Sequence, residues 1–163
     1  MTAIIRLRTL LLTVQRFYFL SAPENGSKTD WAGHGEGSVR IEHDGDIVRF
    51  YESGRFALQS AQLSQTIPFS NVYRWSFFAD RVSLHHERRG TDAAVWLFDL
   101  VISENDSDVL VSDQAHVCVD DLYTARLSID NEGFHLDWTI TGPRKNERLH
   151  YRYLAASNTG EQT

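Results

Sequence analysis

The sequence has little cysteine, little proline and no long hydrophobic run, and each shortage excludes a class of protein. The single cysteine, Cys118, cannot form an intrachain disulfide, so a secreted disulfide scaffold is excluded and a reducing compartment is favoured. Three prolines and ten glycines in 163 residues exclude a collagen-like chain and do not indicate low-complexity disorder. We therefore expect one folded domain in the cytoplasm.

The apolar segment at the N-terminus is short. Arg6 and Arg8 resemble the basic start of a signal peptide, but the apolar run ends at Val14, before a polar pair. It is too short for a transmembrane helix and short for the core of a signal peptide. We expect a mature cytosolic start, with a short helix that covers one end of the fold and leads into a strand near 15–21.

Basic residues are also scarce. Lysine and arginine total 16 against 22 acidic residues, which gives a net charge of -6. Nucleic acids and anionic membranes bind clustered positive charge, so we expect neither as a partner. A homodimer is compatible with the sequence.

Alternation of apolar and polar residues dominates the chain after its first twenty positions. Phe134, Leu136, Trp138 and Ile140 alternate with polar residues, as in an antiparallel strand with one buried face. Similar runs recur along the chain between turn signals, among which the Asp-Gly pair at 44–45 is prominent. At 52–54, the segment Glu-Ser-Gly predicts a bend within one of these strands.

These runs predict an all-β fold, a single antiparallel up-and-down β-barrel of about eight to ten strands with a short N-terminal helix. The connections are short, and closure of the sheet removes exposed strand edges. We expect one barrel domain over residues 1–155 and a disordered tail over 156–163. A barrel of this size is either filled by side chains or holds one small ligand.

The last half of the chain carries a spaced pattern, His-x-Cys-x-x-Asp-x-Tyr followed by a tryptophan strand, Gly-Pro-x-Lys and a tyrosine strand. The matching residues are His116, Cys118, Asp121, Tyr123, Trp138, Gly142, Pro143, Lys145 and Tyr153. The pattern resembles an uncharacterised, mainly bacterial family known as a domain of unknown function, and the segment 73–75 is similar to its central Tyr-x-Trp strand. The resemblance implies a lipocalin-like, or calycin-like, barrel and carries no assigned activity.

A second, shorter resemblance lies at 31–37, where Trp-x-Gly-x-Gly-x-Gly is similar to the opening of nitrobindin-type haem barrels. Alternating glycines leave room for a ligand or for another backbone, and a tightly coiled strand explains them equally well. A haem requires an axial ligand. His150 on the last strand is the first candidate and His135 the second.

His116 and Cys118 carry the most reactive side chains of the main pattern. On a regular strand they share a face, and Asp120 would share it too. A structural zinc site needs four ligands, usually with a second close pair, and the chain has no second cysteine. Residues two apart on a strand lie about 6.5–7 Å apart, beyond the direct hydrogen bond of a Cys–His nucleophilic pair. We therefore predict no metal site, no cofactor and no catalytic residue.

Two interpretations of this region stay open. In the first it is structural: Cys118 is buried, Tyr123 packs its ring, and the carboxylates at 120–121 pair with the cations after the Gly-Pro turn. In the second, a polar cluster at the barrel mouth holds the head of a small acidic or amphipathic molecule, with Phe77 and Trp96 on the wall. The candidate ligand-binding residues are His116, Cys118, Asp121, Tyr123, Arg74, Trp75, Trp138, Arg144 and Lys145.

We therefore expect a non-catalytic barrel that binds a small apolar or amphipathic ligand in the barrel or at its mouth. The alternative is a barrel enzyme of lyase or isomerase type, with interior His, Asp and Tyr as acid–base groups, or a haem protein. The direction of the polar side chains separates these alternatives, because a site requires them to converge in a cavity.

Overall fold

The computed structural model describes residues 1–23, 32–59, 66–113, 116–118 and 120–157, with 116–118 described by their strand pairing alone. The elements in chain order are α1 (Ala3–Leu11), β1 (Val14–Pro23), β2 (Gly33–Asp44), β3 (Ile47–Leu58), β4 (Thr66–Phe77), β5 (Val82–His86), a 3-10 turn (Thr91–Ala93), β6 (Val95–Ile102), β7 (Val109–Ser112), β8 (His116–Cys118), β9 (Asp121–Ile129), β10 (Gly133–Thr141) and β11 (Asn146–Ala155).

Ten of the strands close into an antiparallel barrel, as the strand pattern predicts. Strands β1 to β7 pair in chain order, β7 pairs with β9, and β9, β10 and β11 continue the order until β11 pairs with β1. β8 lies beside β9 as an extension of the barrel, because β7 and β8 pair with different parts of that strand. β8 and β9 thus form a hairpin with a turn at Asp120.

The predicted N-terminal helix is present and covers one end of the barrel. Thr2 caps it, since its hydroxyl oxygen accepts a hydrogen bond from the Ile5 amide at 3.3 Å. The buried residues Ala3, Ile4, Leu7 and Leu11 form one helical face that joins the barrel core. No helix in the described ranges is long and apolar enough to cross a membrane.

Two arginines fix α1 at that end. Arg8 donates to the Gly45 carbonyl oxygen in the β2–β3 turn at 3.0 Å, and Arg6 pairs with Asp108 of the β6–β7 connection at 2.7 Å. We call the opposite end, where the β5–β6 and β10–β11 connections lie, the rim.

The inward-facing side chains are fully buried near α1, whereas several of those near the rim are only half-buried. Those near α1 include Phe17, Phe50, Trp75, Phe134 and Tyr153, each at most 1% exposed. Those near the rim include Phe19, Phe69, His86, Tyr123 and Leu149. The helix end of the interior is therefore sealed, whereas some inward-facing side chains at the rim end are partly exposed to solvent. We call this half of the interior the recess.

The glycines of β2 are explained by packing inside the barrel. A Cβ at Gly37 would collide with the backbone of Ser53 on β3, and a Cβ at Gly35 would collide with the ring of Phe19. The space that these glycines leave is therefore taken by a neighbouring strand and by an aromatic ring. Trp31, the first residue of the nitrobindin-like segment, lies outside the described residues.

Candidate functional site

Five polar side chains from three strands meet inside the barrel. We call this set the interior cluster: Glu52 on β3, Asn71 and Tyr73 on β4, and Tyr151 and Tyr153 on β11. Glu52 and Asn71 are cross-strand partners, and barrel closure brings Tyr153 to Glu52 across 101 positions of sequence. The side chains converge because the strand alternation points each of them inward.

Glu52 is the central member, and it is 1% exposed. The Tyr153 hydroxyl donates to its Oε2 at 2.6 Å, whereas its Oε1 has no hydrogen-bonding partner among the described residues. Burial raises the pKa of Glu52 to about 8, an effect that the Tyr153 hydroxyl and the neighbouring Asn71 side chain only partly oppose. At neutral pH, Glu52 is therefore mostly a neutral carboxylic acid.

Tyr73 and Tyr151 form the side of the cluster nearer the rim. Their hydroxyl oxygens lie 3.4 Å apart, and either hydroxyl can donate to the other. Burial raises the pKa of both phenols, that of Tyr73 well above 10, so neither ionises under ordinary conditions. Whichever hydroxyl accepts in this pair keeps its own hydrogen for another acceptor.

Aromatic rings surround the cluster. Tyr153 stacks on Phe134 with ring centroids 4.7 Å apart, and Tyr151 stacks on Phe19 at 5.3 Å. Trp138 lies 6.2 Å from Tyr151, and its indole N–H is buried without a partner in the described part of the chain. An apolar wall thus encloses polar atoms, Glu52 Oε1 and the Trp138 indole nitrogen, that have no hydrogen-bonding partner among the residues described.

A polar path connects the cluster to the rim through His86. The His86 Nε2 lies 3.3 Å from the Asn71 Oδ1, and the imidazole ring lies 5.0 Å from the ring of Tyr73. Burial, with a smaller contribution from Arg88, lowers the pKa of His86, which keeps the imidazole neutral at pH 7. His86 also lines a rim pocket of about 600 Å³ together with Arg88, Arg89, Ala93 and Val95.

The conspicuous sequence motifs form a different feature at the rim. Lys145 Nζ lies 4.0 Å from Asp121 Oδ2, and the carboxylate of Asp121 occupies the space where a side chain on Gly142 would begin. The Gly142 amide donates to the Lys145 carbonyl oxygen at 2.7 Å. Asp121 thus joins the β8–β9 turn to the β10–β11 turn, and we call this contact the latch.

A surface pocket of about 420 Å³ lies beside the latch. Its lining includes Asp120, Asp121, Pro143, Arg144 and Lys145. His116 and Cys118 pair in register with Tyr123 and Asp121, but their side chains lie outside the described part of the structure.

The remaining candidates separate into interior and outer residues. Trp75, Trp138 and Tyr123 face the interior, where Trp138 contacts the rings of Tyr123 and Tyr151. Arg74 faces outward instead, and it pairs with the buried Glu87 at 2.7 Å. Arg74 therefore does not converge with Tyr123.

Phe77 is buried on the interior face, as predicted, whereas Trp96 is 39% exposed. The Trp96 indole donates to Asp99 at 2.9 Å, and the register of β6 against β5 shifts beside it. This irregularity interrupts the alternation of β6, so Trp96 is exposed although Phe98, two positions further on, is buried.

Both histidines considered as haem ligands lie on the outer face of the barrel. His150 hydrogen-bonds to Asp137 and lies 3.3 Å from His135, which in turn lies 3.2 Å from Asp130. These rings therefore do not fit a haem held inside the barrel. Within the residues that the structure describes, no three His, Cys, Asp or Glu side chains are grouped so that they could hold a metal.

A model of DUF6314, a family of unknown function, matches residues 22–155. The chain belongs to this family. The matched segment begins near the end of β1, so it spans most of the barrel and leaves out α1. No curated protein and no solved structure matched the chain. Membership of this family therefore assigns no activity to the chain.

Proposed function

We propose that this barrel binds one small apolar or amphipathic molecule in the recess, above the interior cluster. The observation that carries the proposal is the change in burial along the barrel: inward-facing side chains are fully buried near α1, and several of those near the rim are half-buried. A concave, mainly aromatic recess with a few convergent polar groups at its floor is the usual form of a small-molecule site.

The interior cluster forms the floor of the recess, and its composition supports a binding role over a purely structural one. A carboxyl group buried without an ionic partner costs stability, and an apolar residue of similar size would avoid that cost. Glu52 has no cation opposite it among the described residues, and one of its oxygens has no partner. Polar groups with shifted pKa values in concave sites are characteristic of functional positions.

The test is native mass spectrometry of the protein purified gently from its own host. We expect an added mass that is retained under native conditions and lost on denaturation. Leu149→Trp should remove the added mass, because Leu149 faces the recess and a larger ring would fill it. The matched control is Leu20→Trp on the neighbouring strand, where the side chain is 51% exposed. The proposal fails if wild type carries no added mass or if both variants retain it.

A second function, a barrel enzyme that transfers protons, is favoured by one observation. Asn71 lies between a neutral carboxylic acid, Glu52, and a neutral imidazole, His86. Such a pair can act as general acid and general base in a lyase or isomerase reaction. Recovery of the retained molecule chemically altered after incubation with wild type, but unaltered with Glu52→Gln, would favour the enzyme.

A further inference from the structure

We propose that the floor of the recess is a hydrogen-bond donor surface that selects ligands with a neutral carbonyl oxygen. This inference rests on the proposed function, because it names the polar group of the molecule that the recess holds. Two observations support the inference. Polar atoms of the floor lack partners among the described residues and can donate hydrogen bonds, and no charged group of those residues lies opposite them.

Glu52 supplies the first donor. A neutral carboxylic acid has one O–H, and the Glu52 Oε2 already accepts the hydrogen bond from Tyr153 at 2.6 Å. The acid hydrogen is therefore best placed on Oε1, the oxygen without a partner among the described residues. The carbonyl oxygen of a ligand that reaches Oε1 would accept this hydrogen.

Neighbouring groups add donors of the same kind. The indole nitrogen of Trp138 can only donate, and it is buried without a partner within the described ranges. The Tyr73–Tyr151 pair keeps one hydroxyl hydrogen beyond the bond that its members share. A carbonyl oxygen, which has two lone pairs and no hydrogen, is the simplest group that uses such donors.

The groups that face Glu52 carry no charge at neutral pH. They are Val39 from β2, Asn71 and Tyr73 from β4, and Tyr151 and Tyr153 from β11. Arg88 at the rim acts on His86 and Tyr73 and is not among the groups that shift the pKa of Glu52. An anionic ligand thus meets no counter-charge at the floor, and a cationic one would first require Glu52 to ionise.

Three naphthalenes substituted at the same ring position test the inference: acetylnaphthalene, ethylnaphthalene and aminomethylnaphthalene. They share a flat apolar body and differ in carrying a ketone, no polar group or a cation. Calorimetric titration of the full chain at about pH 6 should show the ketone bound about tenfold more tightly than the ethyl compound. At about pH 9.5, where Glu52 is ionised, this preference should fall to near one, since a carboxylate repels a carbonyl oxygen.

The variant Glu52→Gln tests hydrogen-bond donation separately from ionisation of the side chain. The amide has nearly the same shape and keeps a donor, but it does not ionise. The variant should therefore prefer the ketone to a similar extent at both pH values. Isotope-edited infrared spectroscopy gives an independent readout, because a hydrogen bond lowers the stretching frequency of the bound carbonyl, and this shift should shrink in wild type at high pH.

The outcomes separate this inference from the proposed function. Equal affinity for the ketone and the ethyl compound at both pH values would overturn the donor surface and leave ligand binding intact. Tighter binding of the amine, increasing from about pH 6 to about pH 8.5, where the amine is still mostly protonated, would show instead that the floor recognises cations through ionised Glu52. Failure of all three probes to bind would overturn the donor surface, whereas the absence of a retained mass in the native protein would overturn the proposed function.

Discussion

At the scale of single residues, the most informative side chain is one that the sequence patterns do not single out. Glu52 occupies the inward parity of β3 with Val48, Phe50 and Phe56, so a carboxyl group stands on an apolar strand face. The Glu-Ser-Gly segment predicts a bend, but β3 continues without interruption from Ile47 to Leu58. An acidic residue in phase with buried apolar ones is the signal that could have found it.

Burial of Glu52 predicts a characteristic dependence of stability on pH. Its pKa is raised from 4.5 to about 8 on folding, so the folded state holds this proton more tightly than the unfolded state does. The stabilising contribution is fully present below pH 4.5 and is lost as the pH rises through 8. Glu52→Gln should remove this loss, so that the free energy of unfolding of the variant exceeds that of wild type by a few kcal/mol near pH 9.

Urea denaturation of both proteins across this pH range measures the effect as a difference curve. Glu36→Gln provides the control, because Glu36 lies on the exposed face of β2. The control should give a flat difference curve between pH values of about 5 and 9. Parallel stability profiles for wild type and Glu52→Gln would show that Glu52 is not neutral in the folded protein.

At the scale of elements, the alternation of apolar and polar residues predicts the barrel strands, but it does not predict which side chains of different strands meet in the interior. The parity of Phe134, Leu136, Trp138 and Ile140 on β10 is confirmed by their burial. The bond between Tyr153 and Glu52 could not be predicted, because it depends on the register with which β11 closes the barrel onto β1. Local patterns specify which way a side chain points, whereas closure decides what it meets.

The latch gives the conspicuous motif residues at the rim a structural role, which depends on the close contact between Asp121 and Gly142. Gly142→Ala should destabilise the fold by about 1–2 kcal/mol, because its methyl group collides with the Asp121 carboxylate. The penalty should shrink in an Asp121→Ala background, where the colliding group is gone. Lys145→Ala, which removes an exposed partner 4.0 Å away, should cost less than about 1 kcal/mol.

Equilibrium unfolding of the single and double variants tests the latch, and acetylnaphthalene affinity decides between the two interpretations of the motif. A purely structural latch leaves that affinity unchanged in Lys145→Ala. A tenfold loss of affinity would instead assign Lys145 to ligand binding, as the alternative interpretation of the rim residues predicts. An additive Gly142→Ala penalty in both backgrounds would contradict the collision.

At the scale of the whole molecule, the two ends of the barrel differ in how completely their inward-facing side chains are buried. α1 seals one end with a buried apolar face, and the rim end keeps inward-facing aromatic side chains within reach of solvent. Under the proposed function, a recess at one end would let a small barrel combine a packed core with a ligand site. Stability and binding should consequently respond to different substitutions.

Leu7→Ala tests this division. Leu7 is fully buried beneath the barrel end, so the truncation should cost about 2–5 kcal/mol of unfolding free energy, measured by urea denaturation. The affinity for acetylnaphthalene should stay within about twofold of wild type under conditions where the variant is folded, because the recess lies at the other end. Ile5→Ala on the exposed face of the same helix should change stability by less than about 0.5 kcal/mol. A parallel loss of stability and affinity in Leu7→Ala would mean that the core packing extends through the recess, and that the barrel is one filled interior.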